Sequence, residues 1–179
     1  ELRLAGIWRT PRVELFGYSG GAQFVHRFAM LYPHLVGRLS LAAAGWYTMP
    51  DAAPFPYGLG AREGRGPDWG ALMGARLGEF LGLPVTVAVG AQDNRPDGNT
   101  RQGEALDRQQ GPHRRARAEV WVAALVRAAA ERGLAEPDVR LAVLPGVAHD
   151  FSDCIARGGL ASLVLLEPVR RGEAVAVAL

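Results

Sequence analysis

The chain alternates short apolar runs with stretches of helical spacing, the pattern of a parallel sheet flanked by helices. Val13–Tyr18 predicts a first strand. Gly20–Leu31 follows with Phe24, Phe28 and Leu31 at spacings of four and three, one face of a helix, and Pro33 ends it. Leu39–Ala44, bounded by Gly37 and Gly45, reads as a second strand, Pro84–Val89 as a third and Val139–Leu144 as a fourth. Ala71–Leu81 predicts a short helix. A polar loop from Gly90 to about Pro112 leads into the strongest helix, Arg114–Arg132, whose buried stripe is expected at Val120, Ala123, Ala124, Leu125 and Ala128. Gly133 is its natural stop. Gly146–Asp150 is a turn, and Ser152–Leu166 a last helix interrupted by Gly158 and Gly159. At the ends, Leu2–Arg9 reads as the tail of a helix stopped by Pro11, and Gly172–Leu179 is apolar without an assigned element.

Residues 45–70 break the rhythm. They are rich in Gly, Pro and aromatics, among them Trp46, Tyr47, Phe55, Tyr57 and Trp69, which suits a long surface excursion. A segment of this length without an element of its own is expected to be a lid or a binding loop. Core or rim packing of the same aromatics is the blander alternative.

Composition narrows the class. The 179 residues fit one domain, and the 49% apolar fraction is that of a globular protein. The net charge is +2, every basic residue is arginine, and acids and bases are interspersed. No basic run alternates with stacking aromatics, which argues against nucleic-acid binding. Without lysine a Walker-type phosphate loop is excluded. Apolar runs such as Leu160–Leu166 fall far short of the ~18 residues a membrane span needs. Cys154 stands alone, so no intrachain disulfide forms and the redox compartment stays open. No His, Cys and carboxylate set has metal-ligand spacing, so no metal site is expected.

The chemistry starts at Gly17-Tyr18-Ser19-Gly20-Gly21, where the first strand runs through G-x-S-x-G into a helix. A nucleophilic serine must project from the carboxyl edge of a sheet, which demands a very tight strand-to-helix turn. Residues two before and two after must then be small, and Gly17 and Gly21 meet that need. The Gly20 N–H at the helix start points where an oxyanion would develop, a donor that contributes ~3 kcal/mol to such a transition state. In a chain with 23 glycines the bare pattern has roughly a 6% chance of arising by accident. The strand before it and the helix after it are the confirming context. A tight glycine turn with a solvated serine is the other reading.

A serine hydroxyl needs a base, and the base needs an orienting carboxylate. Asp93 lies just past the third strand in Gly90-Ala91-Gln92-Asp93, and His149 follows the fourth in Pro145-Gly146-Val147-Ala148-His149. Asp97 and Asp107 occupy the same loop as Asp93 and remain alternatives for the acid. Asp150 adjoins the histidine but would orient it awkwardly, and His149 as a plain turn residue stays open. His26, His34 and His113 follow no strand and read as helix-face or loop residues. Cys154 sits on an apolar helical stretch, the setting of a buried structural thiol rather than a nucleophile.

On Gly17–Gly21, Gly90–Asp93 and Pro145–Phe151 the chain resembles the α/β-hydrolase superfamily, more narrowly its esterase and depolymerase-like members, from about Val13 to Phe151. The resemblance implies a Ser19/Asp93/His149 triad with Gly20 as one oxyanion donor, and Trp46 and Tyr47 as candidates for the substrate pocket. Gln109–Gly111 and Arg114–Arg117 share in the resemblance without an evident mechanism. The activity it implies is hydrolysis of a small-molecule carboxylic ester, or an amide, without a cofactor; an acyltransferase would use the same residues. The same family order makes the four strands contiguous neighbours, half of a full sheet, with the earlier strands and the second oxyanion donor upstream of Val13 missing. The nucleophile strand would then expose an unpaired edge; either the sequence is a fragment of a longer chain, or a partner chain or swapped segment would complete the sheet. A silent fragment or interaction module that keeps the elbow is the alternative function.

Overall fold

A computed structural model of the chain describes residues 12–61 and 66–165, so the expectations for Leu2–Arg9 and Gly172–Leu179 lie outside the described residues. Strands β1 (Val13–Tyr18), β2 (Val36–Ala42), β3 (Val85–Gly90) and β4 (Val139–Leu144) form one sheet in the order β1-β2-β3-β4. Every pairing is parallel. The architecture is the α/β sheet expected, with consecutive strands adjacent and β1 at an edge among the described residues. β2 begins three residues earlier than its glycines suggest, because Val36 is already paired with Val13 and Gly37 is accommodated within the strand.

The helices are α1 (Gly20–Leu31), α2 (Trp69–Gly74), α3 (Leu77–Leu81), α4 (Glu104–Gln110), α5 (Arg114–Glu131), α6 (Phe151–Ala156) and α7 (Leu160–Leu165). The expected helix 71–81 is two short ones, with the break at Ala75 and Arg76. α4 lies inside what reads as a polar loop. It buries only Leu106 and Gln110, too little for an apolar period. On α5 the buried stripe is rotated from the expected one. Ala124, Leu125 and Ala128 are buried as expected, but Val120 is half-buried, Ala123 is exposed, and Arg114, Arg117, Ala118 and Trp121 complete the inner face.

The two faces of the sheet differ. On one, Leu39, Leu41, Val85, Val87 and Val89 join α1, α3 and α5 in the main core around Trp121, Phe80 and Met30. On the other, Tyr18, Ala42, Ala88 and Ala142 stand in register across the four strands. The small alanines let Cys154 of α6 and Leu160 of α7 close over the carboxyl end of the sheet. One step down, that face turns polar through Ser40, Thr86 and Arg140, and then the Arg38–Glu14 ion pair at 2.5 Å.

His26 shows how polar groups enter the core. Its ring is fully buried against Tyr47 and Trp121, with Nδ1–H donating to Ala22 O at 2.9 Å and Nε2 accepting from Thr48 N at 3.0 Å. The bond from Thr48 requires the neutral ring, and burial pushes its pKa from 6.5 down to about 3. Between those values the unfolded chain takes up a proton that the folded one refuses. Stability therefore is full above pH 6.5 and falls as the pH drops, by about 1.4 kcal/mol per pH unit from this residue. Urea unfolding at pH 7 and pH 4.5 should show this loss, reduced in His26→Gln, which still accepts from Thr48. An equal loss in the variant would assign the acid lability elsewhere.

Candidate active site

The end of β1 delivers Ser19 into a conformation that non-glycine residues seldom adopt, φ 52° and ψ −115°. Such a geometry costs on the order of 1–3 kcal/mol and must be held by its surroundings. Ser19 N donates to Ala42 O at 2.8 Å, which ties the turn to the neighbouring strand, and Gln23 N donates back to Ser19 O at 3.2 Å. Gly17 is indispensable here. A Cβ on it would lie 2.5 Å from the Gly21 carbonyl carbon and oxygen. Gly21 is not, since a Cβ there would meet nothing within 4 Å. The expected symmetry of the two glycines thus resolves into one close approach. Gly20 is the first residue of α1, whose leading N–H groups have no acceptor within the helix.

Asp93 and His149 ride on two loops that are bonded to each other. Past β3, Ala91 N donates to Leu144 O at 2.8 Å and Gln92 N to Val147 O at 3.0 Å. Gly90 permits this contact, because its Cβ would fall 2.5 Å from Val147 O. Gly146, at φ 69°, turns the chain after β4. Asp93 and His149 are therefore carried by one unit at the carboxyl edge of the sheet.

In that unit the side chains line up. Ser19 Oγ lies 3.1 Å from His149 Nε2, and His149 Nδ1 lies 3.1 Å from Asp93 Oδ2. Asp93 is buried, whereas His149 keeps 17% of its side chain exposed. The imidazole stacks on Tyr18, with centroids 5.3 Å apart, and Phe151 meets Tyr18 edge-on. Burial raises the pKa of the Tyr18 hydroxyl well above the usual phenol range.

The other carboxylates have different partners. Asp97 takes both Nη atoms of Arg114, at 2.8 and 3.0 Å, and Asp107 takes Arg117 at 2.6 Å. The Arg114 bonds hold the Asp97 carboxyl well below the usual carboxylate range. Asp150 caps α6 by accepting from Asp153 N at 2.8 Å, and His113 caps α5 by accepting from Ala116 N at 3.1 Å. Cys154 is buried on α6, its thiol pKa raised by burial. Among the described residues no group of His, Cys and carboxylates is arranged to hold a metal, and no helix is long and apolar enough to cross a membrane.

The excursion after β2 starts buried rather than at the surface. Arg117 Nη1 donates to Gly45 O at 2.6 Å, Gln110 bonds both the N–H and the C=O of Tyr47 at 2.9 Å, and Trp121 Nε1 donates to Thr48 O at 3.0 Å. Tyr47 is fully buried and stacked on Trp121 at 4.6 Å, so core packing describes its position. Trp46 is half-buried, edge-on to Tyr57 at 4.9 Å with the Arg27 guanidinium 4.6 Å over its ring. Gln110, Arg114 and Arg117 are thus buried polar residues with structural partners that sequence reasoning did not supply. One signal was available: Arg114 and Arg117 continue the three-and-four spacing of Ala118, Trp121 and Leu125 toward the helix start, which places charges on the buried face.

Among solved structures the chain is similar to a poly(3-hydroxybutyrate) depolymerase from Bordetella parapertussis, at 38% identity and a TM-score of 0.67, over 83% of this chain and 48% of that one. It is likewise similar to poly(aspartic acid) hydrolase-1 from Sphingomonas sp. KT-1, at 32% identity and a TM-score of 0.69, over 83% of this chain and 54% of that one. The chain spans about half the length of these hydrolytic neighbours. No family model and no curated protein matches it.

Proposed function

Because the chain belongs to the α/β-hydrolase superfamily, we propose that it is a serine hydrolase cleaving a carboxylic ester through an acyl-enzyme. The observation that carries this reading is the unbroken series of 3.1 Å contacts from Ser19 through His149 to Asp93. Depolymerase and hydrolase neighbours support a hydrolytic reaction.

In this mechanism Asp93 Oδ2 accepts from Nδ1–H of His149, which leaves Nε2 with its lone pair toward Ser19. His149 takes the Ser19 proton as Oγ bonds to the ester carbonyl carbon. The oxyanion faces the Gly20 N–H at the start of α1. Collapse breaks the bond to the alcohol, which leaves with the proton from Nε2. Water then attacks the acyl-enzyme, gives a proton to His149, and the acid departs as Ser19 recovers its hydrogen. Amide cleavage follows the same steps with a poorer leaving group.

Turnover of 4-nitrophenyl butyrate tests the reading. The protein should release 4-nitrophenolate at a rate that Ser19→Ala reduces to background. Equal rates in both would refute it. Folded protein without turnover favours the second reading, an elbow retained without chemistry.

Trp46 is proposed to shape the acyl pocket, since it follows Gly45, whose backbone lies against the Gln23 side chain one turn beyond Ser19. Trp46→Ala should change the ratio of rates on acetyl and octanoyl esters severalfold while Tm moves by a few degrees. A large drop in Tm with an unchanged ratio would make it a packing residue.

A further inference from the structure

Arg114 opens α5 with its side chain 1% exposed, a costly place for a guanidinium unless carboxylates meet it. Two do. Nη1 donates to Asp93 Oδ1 at 3.2 Å and to Asp97 Oδ2 at 2.8 Å, and Nη2 donates to Asp97 Oδ1 at 3.0 Å. Its buried Nε–H has no partner among the described residues. The fork is thus committed to the carboxylates at the expense of its own remaining donor, an exception to the usual satisfaction of buried polar groups.

We propose that Arg114 is a positioning residue for the reaction and that Asp97 tempers it: the guanidinium orients Asp93 toward His149, and Asp97 returns the negative charge that Arg114 would otherwise cancel. This rests on the catalytic reading of Ser19, His149 and Asp93 given above. The two oxygens of Asp93 are divided between partners, Oδ1 to Arg114 and Oδ2 to His149. A carboxylate held at one oxygen presents the other in a fixed direction, and among the described residues Arg114 is the arginine that bonds the Asp93 carboxylate. The charges then matter. Asp93 and Arg114 alone sum to zero and would give the imidazolium formed during catalysis no net counter-charge. With Asp97 the cluster carries one negative charge, and the shorter, two-pronged bond to Asp97 keeps Arg114 leaning away from Asp93.

The ionisable groups around the His149 ring are Tyr18 on β1, Asp93 after β3 with Arg114 behind it, and Asp150 and Cys154 at α6. Burial raises the pKa of both Tyr18 and Cys154, so neither contributes a charge near neutrality. Asp97, held ionised by Arg114, does not titrate there either.

The test is the rate at which a fluorophosphonate labels Ser19 at pH 8 and at pH 6, which needs no knowledge of the substrate. In Asp97→Asn, Arg114 is left to Asp93 alone and the imidazolium is disfavoured, so the ratio of the pH 8 rate to the pH 6 rate should fall about threefold. In Arg114→Met, Asp93 is uncompensated and the imidazolium is favoured, so the ratio should rise about threefold while the pH 8 rate drops about tenfold or more. Arg114→Lys should restore the ratio but not the full rate, since it keeps the charge and loses the fork. A merely structural arginine predicts no opposed shifts. Ratios equal to wild type in variants that fold would overturn the proposal. Should Arg114→Met fail to fold, the direction of Asp97→Asn, a substitution at a carboxylate with 42% of its side chain exposed, decides alone. Wild-type protein that takes no label would overturn the catalytic reading itself, a different result from labelled protein with unshifted ratios.

Discussion

Replacing His149 with alanine should lower kcat/KM for an activated ester by about 10⁴-fold or more, with the fold intact. The ring is the sole bridge between Ser19 and Asp93 in the series described, with Nε2 3.1 Å from Ser19 Oγ and Nδ1 3.1 Å from Asp93 Oδ2. Its removal leaves Tyr18, its stacking partner, still packed edge-on against Phe151. Asp93→Asn should cost less, about 10²- to 10⁴-fold, since an amide preserves the packing but offers a donor where the imidazole needs an acceptor. Steady-state kinetics on both variants, with circular dichroism to confirm folding, checks the order. A loss in Asp93→Asn larger than in His149→Ala, or activity retained in His149→Ala, would remove His149 from the role of base.

The second large effect concerns a residue without a side chain. Gly17→Ala should destabilise the protein by about 2–4 kcal/mol and abolish turnover, while Gly21→Ala should do neither. The new methyl at position 17 would sit 2.5 Å from the Gly21 carbonyl carbon and oxygen and 2.7 Å from Ala22 N, all of them backbone atoms of the first turn of α1. None can swing aside as a flexible side chain would. Relief requires moving the helix, and with it Ser19, whose φ of 52° is held by the neighbouring hydrogen bond to Ala42. At position 21 the methyl enters open space. Thermal melts and ester turnover on the pair provide the check, and equal behaviour of the two variants would contradict the asymmetry.

Much of this arrangement is legible in the residues because it is written locally. β1, α1 and β4 begin and end where the apolar runs and their glycines and prolines say, since each is punctuated by a neighbour that cannot continue it. The positions of Asp93 and His149 follow from a simple regularity, that side chains just past the ends of parallel strands meet at one edge. What eludes the sequence is held by partners distant along the chain. Residues 45–49 look like surface loop because their backbone polar groups have no local partner. Those groups are satisfied by Gln110, Arg117, His26 and Trp121, and Met49 N donates to Tyr57 O. Helix α4 escapes notice because it exists chiefly to present Gln110 and Asp107, with scarcely an apolar face. The arginine-rich start of α5 lies outside the stripe expected from Val120 to Ala128, and only the folded chain reveals the carboxylates that let it be buried.

The most direct measurement is covalent: treat the protein with a fluorophosphonate and locate the adduct by peptide mass spectrometry. One phosphonyl group per chain on Ser19, absent from Ser19→Ala and strongly slowed in His149→Ala, is the predicted result. Folded protein that takes no label, or takes it equally well after either substitution, would contradict the claim that these side chains act together as a hydrolytic centre.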